Sequence, residues 1–392
     1  MVRKYGKLLI LILTLTFGAT VFTGCGGNET DSTSDDGNNK VTEEADNAVE
    51  EVSDSEEVAE EPEEKNDQEL EDFGIGYLPA NAHLLFFVAK EEGFFEEEGL
   101  NATLYKFSNA SELLSGLETG KLNAAAIGSP ETTNYIAQDH GISVIGGIMS
   151  KGHALLVKKS SLEGVDESDY GDLTKLKGLR IAVVPNGTED IIWRTGFKDA
   201  GVNVGEDIEF VDVDSGTSAY TALQNDDIDG AMLFTPYHAL AEQDGLITYN
   251  YSTDIAGFEA HPCCRDVAIT EEVEAHPDLY KKYLKALIKA YKFYVENEDE
   301  TVQDIQKYVD VDTDLLKAET YAEFVGIHPD PDLNAFVTWT DAMAELGYFD
   351  KFDVTKNVNT EIYKSALDEV VNENPDDSIY QEMEEHYKTY DQ

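Results

Sequence analysis

Residues 178–198, GLRIAVVPNGTEDIIWRTGFK, decide the fold. Leu179 to Val184 is a short apolar, β-branched run, as expected of a strand covered on both faces. Pro185-Asn186-Gly187 breaks it, because proline cannot pair in a ladder and glycine tolerates positive φ. Thr188 is a candidate cap, and Glu189 to Lys198 reads as a helix able to bury Ile191, Ile192, Thr195 and Phe197. Strand, glycine-bearing turn and helix start present free backbone N–H groups at the carboxyl edge of a parallel sheet, where small polar or anionic ligands are held. A single such turn is ordinary; its repetition along the chain carries the weight.

Outward from this unit the pattern recurs. Upstream, strands are expected at Phe73–Leu78, Leu100–Phe107, Asn123–Ile127, Ile142–Met149 and 153–159 (HALLVKK). Between them fall helices at 82–92, from Ser108 or Ser111 (its cap) through Leu117, and at 131–139. Downstream follow strands at 207–213 and 229–234, with helices at 218–225 and from Tyr237 to Gln243. Such alternation calls for helix-covered parallel or mixed sheets, an α/β fold. The roughly 320 residues from 73 on exceed one core and imply two lobes. The expected division is 73–155 with 253–392 for lobe 1, and 156–252 for lobe 2. Beyond Pro277 the chain reads as mostly helical, and the stripe Tyr280, Tyr283, Tyr291, Tyr294 reads as packing.

At the amino end Arg3, Lys4 and Lys7 precede an apolar run, Leu8–Phe22, too short for a stable membrane span. Phe22-Thr23-Gly24-Cys25 resembles a bacterial lipoprotein signal, which implies cleavage after residue 24 and a diacylglyceryl group on Cys25. From 26 to 72 there are 20 acidic residues against two lysines and no aromatic residue. That composition cannot offset its ordering entropy, so 25–72 is expected to be a disordered tether. The chain's net charge of −52 extends into the folded part and excludes nucleic acid, which needs a basic face. Three cysteines are too few for a disulfide framework.

The order of elements is similar to that of bacterial ABC-transporter solute-binding proteins for nitrate, sulfonates, taurine and thiamine-type pyrimidine precursors. The stretches that carry the resemblance are FGIGYLPANAHLLFFVAKEEGFFEEEGL (73–100), AAAIGSPE (124–131), HALLVKK (153–159), DLTKLKGLRIAVV (172–184), DIDGAML (227–233) and AELGYFD (344–350). It implies a periplasmic-binding-protein-like fold whose lobes close over one small molecule and dock on a permease driven by an ATPase. It places a cleft at the loop Tyr77–His83 (with Tyr77, Asn81 and His83), at Gly128, Ser129 and Pro130, at His153, and at Asn186, Gly187 and Thr188. The last wall is the turn after Phe234; where many members carry Glu-Pro, this chain has Thr235-Pro236-Tyr237, which weakens any ligand needing a carboxylate there. Trp193, with Tyr77 and Tyr237, is a candidate aromatic platform.

The most distinctive short stretch is His261-Pro262-Cys263-Cys264-Arg265. It is open to four readings: a soft-metal site, a vicinal disulfide, a cleft wall in which Arg265 pairs a ligand anion, or plain packing. Adjacent cysteines chelate poorly, so no resident metal is expected. A Cys-rich run also occurs in the pyrimidine-synthase relatives of the thiamine pathway, which makes an enzyme using 261–265 the alternative. Otherwise there is no nucleophile–base pair, phosphate loop or cofactor motif; Gly74-Ile75-Gly76 lies inside a strand. The expectation is therefore a monomeric, lipid-anchored extracytoplasmic binding protein and no enzyme. Arg265 and the helix start favour a small sulfonate or nitrate-like anion, and the aromatic residues and Cys pair favour a heteroaromatic pyrimidine.

Overall fold

The computed structural model describes residues 70–391 except Pro236. The signal segment, Cys25 and nearly all of the acidic tether lie outside the described residues. Among the described residues no helix is long and apolar enough to cross a membrane.

Among the described residues eleven strands form two sheets. In chain order they are β1 (Glu71–Tyr77), β2 (Leu100–Lys106), β3 (Ala124–Gly128), β4 (Ile142–Lys151), β5 (His153–Val157), β6 (Arg180–Val183), β7 (Glu209–Asp212), β8 (Gly230–Phe234), β9 (Ile247–Tyr251), β10 (Pro262–Ile269) and β11 (Val325–Ile327). The first sheet runs β11-β4-β10-β3-β1-β2 and the second β7-β6-β8-β5-β9. Both are mixed. β1 pairs in parallel with β2 and β3, and β6 with β7 and β8. β10 is antiparallel to β3 and β4, and β5 is antiparallel to β8 and β9.

The chain passes between the sheets twice. Gly152 alone separates β4 from β5, and it and Lys151 both take positive φ, 85° and 65°. All of β5 pairs in the second sheet, so the break falls at Gly152, ahead of the expected division after 155. The return runs from β9 through Ser252–Asp254 to β10.

Small residues admit close layers. A Cβ on Gly76 would lie 2.6 Å from both Leu113 and Leu122, so glycine at this point of β1 lets the helix Ala110–Glu118 settle on the sheet. That explains the Gly-x-Gly inside a strand without any nucleotide. The helix Pro277–Glu296 starts with proline, whose fixed φ suits a first turn. It buries Tyr280, Tyr283, Leu284, Leu287 and Ile288, and Phe73 stacks on Tyr283 at 4.6 Å. The tyrosine stripe is packing at this end, and Tyr294 stacks on Tyr321 at 4.9 Å.

Two local expectations are corrected. The cap of the helix after β2 is Asn109, whose Oδ1 accepts from Glu112 N at 3.0 Å, while Glu112 Oε2 accepts from Ser108 N at 3.1 Å. Asn competes well with Ser because its short amide oxygen reaches the same N–H group. The helix in the opening stretch begins at Thr188 itself, with Gly187 as N-cap and no side-chain cap bond.

Candidate functional site

A cavity of about 410 Å³ opens between the sheets, walled by residues of both. The loop after β1 supplies Asn81 and His83, the end of β3 supplies Gly128, and the start of β5 supplies His153. Gly187 and Thr188 come from the helix Thr188–Asp199 and its cap, Thr235 from the turn after β8, and Cys263 and Cys264 from β10. All of these were expected in the cleft from the sequence.

Six other sequence candidates lie outside the lining. Trp193 is fully buried, and its Nε1–H donates to Asn250 Oδ1 at 3.1 Å. Tyr77 sits edge-on to Phe87 and Tyr308. Tyr237 shares a 2.6 Å hydrogen bond with Thr217. Ser129 is buried in the first turn of its helix, and Asn186 takes φ 61° with its N–H donating to Asp190 Oδ2 at 3.0 Å. Arg265 is fully buried behind β10: it donates to Cys264 O at 3.1 Å and Ser150 Oγ at 3.2 Å, and faces Asp332 Oδ2 at 3.5 Å.

Cys263 and Cys264 reach the same cavity although neighbours in a strand point to opposite faces. Register shifts on either side of Cys264 break the alternation, as a bulge does. The Sγ atoms are 3.5 Å apart and both cysteines are free thiols. Hydrogen bonding between them raises Cys263 and lowers Cys264, so thiolate character gathers on Cys264. His83 Nδ1 accepts from Leu78 N at 3.1 Å, which leaves Nε2–H free to support Cys264.

The residues that sequence reasoning missed are two acids. Glu131 and Glu189 line the cavity from opposite sheets, each in the first turn of a helix, Ser129–Ala137 and Thr188–Asp199. Each carboxylate turns back on the helix start. A Cβ on Gly128 would collide with the Glu131 carboxylate, and one on Gly187 would lie 3.1 Å from Glu189 Oε2. The N-caps of these two helices are Gly128 and Gly187, which have no side chain to cap with, so each acid lies against an uncapped helix start. Desolvation raises Glu131, and lifts Glu189 to about 7 with Glu131, Asp190 and Cys264 adding repulsion. The same burial pushes His153 down to about 4 and keeps it neutral. The available signal was the parallel between Gly-Ser-Pro-Glu (128–131) and Asn-Gly-Thr-Glu (186–189).

Away from the cavity, ligating atoms of His328, Asp330 and His386 lie within 4.8 Å of one another. The two rings stack at 4.0 Å and 22°, and His328 Nδ1 already accepts from Asp330 N, so their in-plane lone pairs do not converge on one point.

Two mixed sheets joined by short crossings, with a cavity between them at helix starts, define the periplasmic-binding-protein fold. The periplasmic aliphatic sulphonate binding protein SsuA from Escherichia coli superposes with a TM-score of 0.63 at 16% identity, covering 75% of this chain and 99% of its own. The chain belongs to the NMT1-like family, whose sequence profile matches residues 66–309. A putative aliphatic sulfonates-binding protein of Bacillus subtilis (strain 168) is 25% identical over 323 residues, 77% of this chain and 90% of the relative. A putative binding protein of Brucella abortus (strain 2308) is 25% identical over 269 residues, 66% of this chain and 79% of its own. These relatives are named as binding proteins, and the pyrimidine-synthase alternative has no counterpart among them.

Proposed function

We propose that this chain is an extracytoplasmic solute-binding protein that captures one small molecule between two lobes and delivers it to an ABC permease and its ATPase. The lobes are the halves built on the two sheets, with Gly152 and 252–261 as the connections. One observation carries the reading: a 410 Å³ cavity whose walls come from both sheets, so that an occupant touches both halves at once. Such a molecule favours the closed arrangement by its differential affinity for it. Family membership and relatives named for aliphatic sulfonates support an importer role. The Cys25 motif adds a lipid anchor, which holds the protein at the outer face of the membrane on the acidic tether.

Isothermal titration and small-angle scattering over a panel of small solutes test this. The expected result is one-to-one binding without turnover, accompanied by a smaller radius of gyration. Product release from a bound solute, or binding that leaves the scattering curve unchanged, would sink the proposal. Cys25→Ala should move the protein from the membrane fraction to the soluble one.

A further inference from the structure

We infer that the cavity selects a compact cation, an amine or amidinium group on a partly apolar body, and rejects sulfonates, nitrate and similar anions. The inference rests on the solute-binding reading above and concerns the charge of the guest.

A small anion is held in a cleft of this kind by helix N-terminal N–H groups and cationic side chains. Both are withheld here. At the helix starts that face the cavity, Ser129 and Thr188, a carboxylate of the helix's own first turn, Glu131 or Glu189, lies against the N-cap glycine and sets a negative group where an anion would sit. No lysine or arginine stands among the lining residues. Arg265 is one residue beyond Cys264 but is turned behind the strand toward Asp332, Ser150 and the Cys264 carbonyl.

Beside neutral donors such as His83 Nε2–H, the charged groups that remain in the cavity are acids, which accept hydrogen bonds from a positive group. Glu189 is 5% exposed, and beyond its own backbone its nearest polar partner is His153 Nε2, 3.9 Å away. His153 Nδ1 is itself buried without a partner. Cys264 carries the thiolate character of the Cys pair. A buried carboxylate without a cation is unfavourable, and a cationic guest relieves that cost while an anion adds to it. The groups facing Glu189 are Glu131, Asp190, Cys264 and His153, and Asp190 is already paired with Arg194 Nε at 2.5 Å. The excess of acidic residues across the chain adds a long-range field of the same sign, which draws cations toward the cleft. Ala80, Ala82, Met149 and Phe234 supply the apolar wall for the body of the guest.

Matched probes of equal size and opposite charge isolate this claim: benzylammonium against benzenesulfonate, and benzamidinium against benzoate, with taurine and nitrate added. Binding is read by thermal shift and titration calorimetry on the wild type, Glu189→Gln and Glu131→Gln. The cations should raise the melting temperature, and their affinity should increase from about pH 5.5 to about pH 8 as Glu189 ionises. Glu189→Gln, nearly isosteric, should weaken them about tenfold or more and flatten that pH dependence. Unliganded melting curves and far-UV spectra of the variants control for folding. In the wild type, carboxyl ¹³C titration should show a cation lowering the Glu189 pKa. If a sulfonate or nitrate binds while the matched cations do not, the charge assignment is overturned and the solute-binding reading stands. A flat response to both signs, with no change in scattering, counts against both.

Discussion

Single residues set what this molecule tolerates. Gly147 on β4 has Asp330 O and His328 O so close that a Cβ there would collide with both, and its N–H donates to Pro329 O at 2.8 Å. Backbone cannot step aside as a side-chain tip can, so Gly147→Ala should cost about 2–4 kcal/mol, read by urea unfolding. A loss below the error of the measurement would contradict the close approach. Glu189 gives a prediction of opposite sign. Its folded pKa, about 7, lies above the ordinary carboxyl value. Below the unfolded value the group is protonated in both states and costs nothing. As pH rises toward 7 the unfolded chain ionises first, and stability falls by on the order of 3 kcal/mol. Glu189→Gln should remove that fall and be the more stable form at neutral pH, measured as melting temperature against pH.

Among elements, helix ends and strand pairings differ in how far they are written locally. At the start of Ala110–Glu118 Asn109 Oδ1 accepts from Glu112 N, and Glu112 Oε2 reaches back to accept from Ser108 N. Asn109→Ala should therefore cost about 1 kcal/mol in chemical denaturation, and because Asn109 also lines the cavity, the same variant widens that wall. The β–turn–helix units around 124–137 and 180–199 were legible because their apolar runs and glycine turns are contiguous. β11 was not: Val325-Gly326-Ile327 is a strand only because β4, some 175 residues away, offers Met149–Lys151 as a partner, and its three residues carry no period. β10 was hidden because both its faces are covered and its bulge breaks the alternation near Cys264. The cavity's glycines, His83, His153 and Thr235 could be found because they stand at strand ends or turns beside a broken pattern. Glu131 and Glu189 were harder to see: among 80 acids only their shared place just after a glycine-bearing turn sets them apart. Arg265 shows the converse limit, for no local pattern says which side of β10 takes a long side chain.

Across the whole molecule, each sheet has an apolar cluster of its own, around Ile75 and Ile145 in the first and Leu156 and Ala231 in the second, and a further cluster joins the two. The joining cluster includes Val144 and Val267 of the first sheet, Leu155 and Ile181 of the second, and Trp193 and Trp339 between helices. Tyr348 OH donates to Asp190 Oδ2 at 3.2 Å, tying the segment after Leu333–Glu345 to the helix Thr188–Asp199. Phe324, just before β11, stacks on Tyr251 of β9 at 4.9 Å. A shared core makes the halves unfold together. Calorimetry on the unliganded protein should show one transition, and Trp339→Ala should lower it by about 3–5 kcal/mol without splitting it. Two resolved transitions would mean that the halves are energetically independent.

The acids folded over both helix starts have a consequence for life outside a cell. Sulfate, phosphate and chloride are abundant in most surroundings and lodge readily at uncovered helix N-termini. Here each of those berths has one of the protein's own carboxylates lying beside it. The empty receptor is thus guarded against inorganic decoys, which do not compete for its cleft even though dissolved salt weakens the long reach of its charge.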